Sequence, residues 1–348
     1  MNFASDNCGP VHPEVLAALN DANHGHAPAY GADALMDAVR ERLRELFEAP
    51  EAEVFLVATG TAANALALST LTQPWQTVFC TPLAHIQTDE CNAPEFYTGG
   101  AKLSLAGEGD KMTPEALNAA IESWPLGDVH VAQRGPVALT QATERGRVYT
   151  TAELAALTEA AHAHVQPVYM DGARFANALE ALGCTPAEMT WKAGIDALSL
   201  GATKNGCLGV EAVMFFAPDT AWEFELRRKR AAHLFSKHRY LSAQMLAYLA
   251  DDLWRRSARA ANDKAARLAQ GLRGVTGAEF AAEPQVNMIF VRLPRATHQR
   301  LHEAGAVYGL YDGPLEEGDT EAPLLARLVC DWSVPDEDID RFIEIAAG

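Results

Sequence analysis

Lysine is scarce in this chain: seven lysines stand against twenty-one arginines among 348 residues. Chemistry that needs a lysine amine therefore has few places to happen. Positive charge is short as well. The net charge is −18, which excludes nucleic acid as an expected partner, because phosphate backbones are met by a basic face. The six cysteines (Cys8, Cys80, Cys91, Cys184, Cys207 and Cys330) form no CxxC pair. They read as reduced thiols of a cytoplasmic protein, not as a disulfide framework. No apolar run reaches membrane-spanning length, so no membrane partner is expected. The first residues lack a basic stretch followed by an apolar one, and no signal peptide is expected. The histidines show no convincing metal-ligand spacing, and no metal is expected. Internal repeats and low-complexity tracts are absent.

Hydrophobic residues make up 49% of the chain, enough for a large core and more than one domain. Residues 33–48 place Leu35, Val39, Leu43, Leu46 and Phe47 on one side of a helix. Strands are predicted at 53–58, 77–80, 128–131, 166–170, 197–200 and 212–216, with helices between them, notably 151–164 and 185–192. Strand and helix alternate to about residue 217, the pattern of a mostly parallel sheet covered on both faces. A long helical region follows over 221–272. Beyond it, strands at 278–293 and 326–332 alternate with helices at 296–304 and 336–347. The expected organisation is α/β. Residues 1–245 would form an N-terminal arm and a large domain, and 246–348 a smaller α+β domain.

Asp171 follows one apolar run, in Asp171-Gly-Ala-Arg174, and Lys204 follows another, in Gly201-Ala-Thr-Lys-Asn-Gly206. An acid and a lysine at the ends of neighbouring strands suit pyridoxal phosphate. The amine takes the cofactor's aldehyde as a Schiff base, and the acid keeps the pyridine nitrogen protonated. Each residue also has an ordinary reading, Asp171 as a helix cap or turn aspartate and Lys204 as a solvated lysine. The other lysines fit worse. Lys102 and Lys111 flank polar turns, Lys192 sits in a helical pattern, and Lys229, Lys237 and Lys264 lie in the helical region. Thr59-Gly60-Thr61 stands where a strand becomes a helix, where free N–H groups and small residues admit a phosphate. Many strand-to-helix turns look alike, and the GxxxxGK[ST] spacing of a Walker loop is absent. The guanidinium fork of Arg174 suits a carboxylate. His85 offers a flat ring that can stack on the cofactor and relay a proton, or it is a plain capping histidine. Arg227-Arg-Lys-Arg230, continuing to Lys237 and Arg239, reads either as a solvated helix face or as an anion or subunit contact.

Several segments, in order, resemble the low-specificity L-threonine aldolases, in particular the branch that includes phenylserine aldolases. They are Phe3-Ala-Ser-Asp-Asn7, Asn23-His-Gly-His26 with Tyr30-Gly31, Gly60-Thr-Ala-Ala-Asn64, Ala84-His85, Gln141-Ala-Thr-Glu144, Met170-Asp-Gly-Ala-Arg174 and Gly201-Ala-Thr-Lys-Asn-Gly206. The resemblance covers nearly the whole chain. It implies the pyridoxal-phosphate fold type I of the aspartate aminotransferase superfamily, in a homodimer or homotetramer with active sites across a subunit interface. It also implies a small amino-acid substrate: cleavage of L-threonine, L-allo-threonine and related β-hydroxy-α-amino acids, phenylserine included, to glycine and an aldehyde. By this resemblance Lys204 carries the cofactor, Asp171 faces the pyridine nitrogen and His85 stacks on the ring. Gly60 and Thr61 hold the phosphate, and Ser5, Arg174 and Arg327 hold the substrate carboxylate. Arg239 is a looser match to a phosphate contact donated by a neighbouring subunit, and Tyr30 is a further candidate.

The pattern departs from the family at one place. Where better-known threonine aldolases carry a histidine in Glu-Asn-Thr-His-Asn-Gly, this chain reads Gln141-Ala-Thr-Glu144-Arg-Gly146. Glu144 stands at the histidine's position, and the base that acts on the β-hydroxyl is left open, with His85 or a water it orders as the first choices. An aminotransferase, a β-eliminating lyase or a non-catalytic protein of this fold would keep the same cofactor residues, so these readings stay open too.

Overall fold

The structure is a computed structural model and describes all 348 residues. Seven strands form one sheet: β1 (Glu53–Val57), β2 (Gln76–Cys80), β3 (Lys102–Leu105), β4 (Gln133–Thr140), β5 (Val168–Gly172), β6 (Ala197–Gly201) and β7 (Glu211–Phe215). Their spatial order is β1-β7-β6-β5-β4-β2-β3. β7 runs antiparallel to both its neighbours, and the other pairs are parallel. Every residue of β5, β6 and β7 is buried. Strands covered on both faces read as continuous apolar runs. The period of two survives in how the cores divide. Val54, Leu56, Val168, Met170 and Leu198 enter one core, and Phe55, Val57, Tyr169, Ala197 and Val213 enter the other. The helix Gly60–Leu71 packs against β1, β4, β5, β6 and β7. It is buried from Ala62 to Thr70, so its sequence carries no polar stripe.

A second sheet is antiparallel, in the order β10-β11-β9-β8, from β8 (Glu279–Phe280), β9 (Met288–Pro294), β10 (Gly309–Leu310) and β11 (Pro323–Val329). Its core is separate and joins Ile289, Val291 and Leu328 to Leu268 of the Leu253–Leu272 helix and Phe342 of the Asp336–Ala347 helix. Phe3 is fully buried in this same core, edge-on to Phe342 at 5.1 Å. Its N–H donates to Val307 O, and its carbonyl accepts from Val329 N–H. The N-terminal arm is thereby tied to the small sheet, and the next residues of the arm are led to Arg174 of the large one.

Some predicted elements differ. Residues 128–131 form turns, with Val129 fully out in solvent, and the strand lies instead at β4. Gly135-Pro136 conceals that strand in the sequence. Proline gives the ladder no N–H, and the register with β2 shifts there. Residues 185–192 are turns ending in a single 3-10 turn, Trp191–Ala193; Thr185 and Glu188 cap each other's backbone without a helix following. The region 221–272 is three helices, Ala221–Arg230, Arg239–Leu249 and Leu253–Leu272, and 278–293 is two strands with a break. The exposed β3 has no strong apolar signal and was not predicted. No helix is long and apolar enough to cross a membrane.

Candidate active site

A cavity of about 300 Å³ lies at the C-terminal ends of β1, β4, β5 and β6, where open α/β sheets bind ligands. Gly60, Thr61, His85 and Glu144 line it, together with Asp171, Arg174 and Lys204.

Lys204 sits on a 3-10 turn, Thr203–Asn205, directly after β6. The turn is clamped on both sides. Asn205 Nδ2 donates to Tyr248 Oη and Trp254 O, each at 2.7 Å. Glu211 accepts from Ala202 N–H at 2.8 Å and from the Thr203 hydroxyl at 2.7 Å. Gly206 closes the turn at φ +113°, a conformation that favours glycine. Between these fixed neighbours the Lys204 amine has no hydrogen-bond partner. Burial pushes it below the usual lysine value, with Arg174 adding to the effect. A lysine that gives up its proton easily is the nucleophile that an aldehyde needs. Glu211, fully enclosed, is pushed up to about 7 by burial.

Asp171 is the fourth residue of β5 and is buried. Oδ1 accepts from Ala173 N–H at 2.9 Å, and Oδ2 from Asn64 Nδ2 at 2.8 Å. The same Asn64 nitrogen donates to Glu90 Oε1 at 2.7 Å, and its oxygen accepts from Tyr169 Oη at 2.7 Å. Glu90 Oε1 lies 2.8 Å from His85 Nδ1. One hydrogen-bonded chain therefore runs from Asp171 through Asn64 and Glu90 to His85. The bond to Glu90 pushes His85 above its ordinary value, against the effect of its burial.

Thr59 caps the Gly60–Leu71 helix by accepting from Ala62 N–H at 3.2 Å. The first N–H groups of a helix have no partner within it. A side chain at Gly60 would meet nothing within 4 Å, so an anion has room to approach the backbone. Arg174 is already engaged. Its Nε and Nη2 donate to Asp6 Oδ2 and Oδ1 at 2.7 and 2.9 Å, which leaves Nη1 for a ligand. Burial alone would push Asp6 up, but Arg174, with Lys204 and Asn287 adding, holds the carboxyl below its ordinary value.

Ser5 and Arg327 are not among the cavity's lining residues; Asn7 is. Ser5 Oγ accepts from Asn7 N–H. Arg327, on β11, donates from Nη2 to Ala4 O at 3.1 Å, so it stands beside the same arm. Its Nε is buried with no partner, as expected of a donor awaiting an acidic ligand. Arg239 and Tyr30 are not brought to the cavity by this chain. Arg239 donates to His24 O and Gly25 O and faces a different, apolar pocket. Tyr30 is exposed, with Lys229 Nζ 5.0 Å above its ring. In the basic stretch, Arg227 pairs with Glu223, and Arg228 is buried against Leu56 O and Glu225.

Asp6, Asn64, Glu90 and Glu211 had no predicted role. Asp6 and Asn64 stand inside motifs that were noticed, Phe3-Ala-Ser-Asp-Asn7 and Gly60-Thr-Ala-Ala-Asn64. Glu90 and Glu211 carry no local signal.

The residues fit pyridoxal phosphate: an unpartnered amine, a buried carboxylate and open space before Gly60 share one cavity. Residues 2–295 match the beta-eliminating lyase family. The chain is 41% identical, over 99% of its length and 96% of the relative's, to a low specificity L-threonine aldolase from Pseudomonas sp. (strain NCIMB 10558). A structure of Leishmania major threonine aldolase superposes with a TM-score of 0.90 at 26% identity, covering 99% of this chain and 98% of that one. A structure of SPT with bound PLP, 18% identical, superposes with a TM-score of 0.69 over all of this chain and 86% of that one, a likeness of fold alone.

Proposed function

This chain belongs to the beta-eliminating lyase family, among the low-specificity L-threonine aldolases, and from that premise we propose how its residues cleave β-hydroxy-α-amino acids to glycine and an aldehyde. It has the pyridoxal-phosphate fold type I, and it is a lyase dependent on pyridoxal phosphate. The substrates are L-threonine, L-allo-threonine and relatives such as phenylserine. The observation that carries the residue assignments is the shared cavity of a free Lys204 amine and a buried Asp171 carboxylate.

When bound, the cofactor supplies an electron-withdrawing ring that takes up the electron pair released at the substrate's α-carbon. The chain does the rest. Lys204 anchors the cofactor's aldehyde, and Asp171, steadied by Asn64 and Ala173 N–H, keeps the pyridine nitrogen protonated. Gly60 and Thr61 receive the phosphate at the helix start. His85, fixed by Glu90, would offer its flat imidazole to the cofactor. Arg174, Arg327 and Ser5 hold the substrate carboxylate. Asp6 fixes the Arg174 fork, so a single edge is presented to it. Holding the substrate this way turns orientation into rate. His85 and Glu144 are two of the titratable groups lining the cavity that could exchange a proton with the β-hydroxyl.

Four carboxylates (Glu90, Glu144, Asp171 and Glu211) line the site against one arginine and one lysine, Arg174 and Lys204. That supports a dimer or tetramer in which Arg239, and with it Tyr30, reaches a neighbour's site. The six free cysteines support a cytoplasmic setting. Two separate cores support two domains, but not a boundary at 245, which falls within the Arg239–Leu249 helix: the larger core takes in Leu249, Leu253, Trp254 and Ala258, and the smaller takes in Phe3.

The test is incubation with L-threonine, L-phenylserine and a keto acid. Glycine plus an aldehyde supports the proposal. A pyridoxamine form of the cofactor, or a keto acid with ammonia, would replace it with transamination or β-elimination.

A further inference from the structure

We propose that Glu144 is a catalytic residue, whose Oε2 takes the proton of the substrate's β-hydroxyl in cleavage and returns it in the reverse reaction. This rests on the retro-aldol reading. Glu144 follows β4 by four residues, at the cavity wall. Its two oxygens are treated differently. Oε1 accepts from His85 N–H and from the Thr140 hydroxyl, each at 2.8 Å. Oε2 is screened from solvent and has no partner. A buried oxygen left unsatisfied costs stability, and a substrate hydroxyl that reached it would relieve that cost.

The groups around Glu144 leave the role to it. Asp171, Lys204, Glu90 and Glu211 share its cavity; Glu211 is bonded to Ala202 and Thr203, and Glu90, whose Oε2 is also unpartnered, is committed through Oε1 to Asn64 and His85. Cys80 and Tyr149 lie close, and burial keeps both protonated, the Cys80 thiol being pushed up to about 12. The neighbouring Arg145 guanidinium is turned to Phe290 and Tyr311, 4.8 and 5.9 Å from their ring centres. Burial, with Asp171 adding, pushes Glu144 up to about 7, where a base works best near neutral pH. His85, beside it, is pushed up as well, by its bond to Glu90.

The step balances. The hydroxyl O–H bond breaks and its proton passes to Oε2. The O–H electron pair becomes the second bond of the aldehyde carbonyl. The Cα–Cβ bond breaks, its pair stays with Cα and is drawn off by the cofactor, and a later proton at Cα gives glycine.

Glu144→Gln keeps the acceptor used by His85 and Thr140 and removes the base. Three readouts on the holoenzyme test it: L-threonine cleavage, exchange of glycine's α-proton with D2O, which needs no β-hydroxyl, and the visible absorbance of bound cofactor. Cleavage should fall about 10²- to 10⁴-fold, exchange should fall far less, and the absorbance should remain. Equal losses of cleavage and exchange, or cleavage close to wild type, overturn the proposal. If that variant does not fold, Thr140→Val decides. Loss of a donor to Oε1 should move the acid limb of the kcat/KM profile to higher pH, and an unmoved limb overturns the proposal. A wild type that exchanges glycine's proton but cleaves no β-hydroxy amino acid overturns the retro-aldol reading and this proposal with it.

Discussion

Glu211→Gln should stabilise the protein at alkaline pH and not at acid pH. Glu211 is buried at the start of β7, behind the lysine turn. Glutamine can keep its contacts. Its oxygen accepts from Ala202 N–H, and its amide donates to Thr203 Oγ1, whose hydroxyl turns toward Val210 O, 3.5 Å away. What disappears is the ionisation. In the folded protein the carboxyl sits at about 7, raised from 4.5 by burial. The sign follows from linkage: the folded state holds the proton more tightly than the unfolded one, so the stabilising contribution is complete below 4.5 and is lost as pH rises to about 7. At ~1.4 kcal/mol per pH unit the full loss is about 3 kcal/mol. Between pH 5.5 and 8, about 2 kcal/mol of it should be seen. At ~2.1 cal/mol/K per residue, a chain of this length shifts by about 1.5 °C per kcal/mol. The gap in Tm between variant and wild type should therefore widen by about 3 °C between those pH values. Cofactor-free protein is the right sample, because Lys204 is then free, and scanning calorimetry is the assay. A Tm gap that is the same at both pH values would refute the reasoning.

Two further substitutions probe the scaffold of the site. Asn64→Ala leaves the buried oxygens of Asp171 and Glu90 facing each other with no donor between them; a loss of about 2–4 kcal/mol is expected in denaturant unfolding, with weaker cofactor binding in a spectroscopic titration. Gly201→Ala would put a Cβ 2.5 Å from Ala173 O and 2.7 Å from Ala173 Cα. Backbone on both sides cannot yield, so about 1–3 kcal/mol should be lost, and displacement of the adjoining lysine turn should slow cofactor loading in a stopped-flow absorbance measurement.

That Lys204 and Asp171 meet at one cavity was legible because each follows a strand-like apolar run, and sheets buried on both faces write such runs plainly. The groups that make those two residues work were not. Asn64 joins Glu90 and Asp171 across 26 and 107 positions of chain, and nothing local marks a polar residue on an otherwise apolar helix as a bridge between strand ends. Asp6 meets Arg174 across 168 positions, because Phe3 docks in the other sheet's core. β4 escaped notice for the opposite reason. Its glycine and proline read as a turn, yet Gly135 is where the backbone of β4 passes within contact of Thr77 O. Arg239 and Tyr30 have their places in this chain but no role within it; their assignment depends on a second subunit, which a single sequence does not describe.

The central claim is that Lys204 carries pyridoxal phosphate and that Asp171 faces the pyridine nitrogen of the same cofactor. The visible absorption spectrum of Lys204→Ala after reconstitution tests it most directly. Wild type should show the band of lysine-bound cofactor, and borohydride treatment should fix the cofactor to the peptide containing Lys204. The variant should lose both the band and the covalent attachment while keeping a folded far-ultraviolet signature. A band that persists unchanged in Lys204→Ala, or cofactor fixed to another lysine in the wild type, would contradict the account.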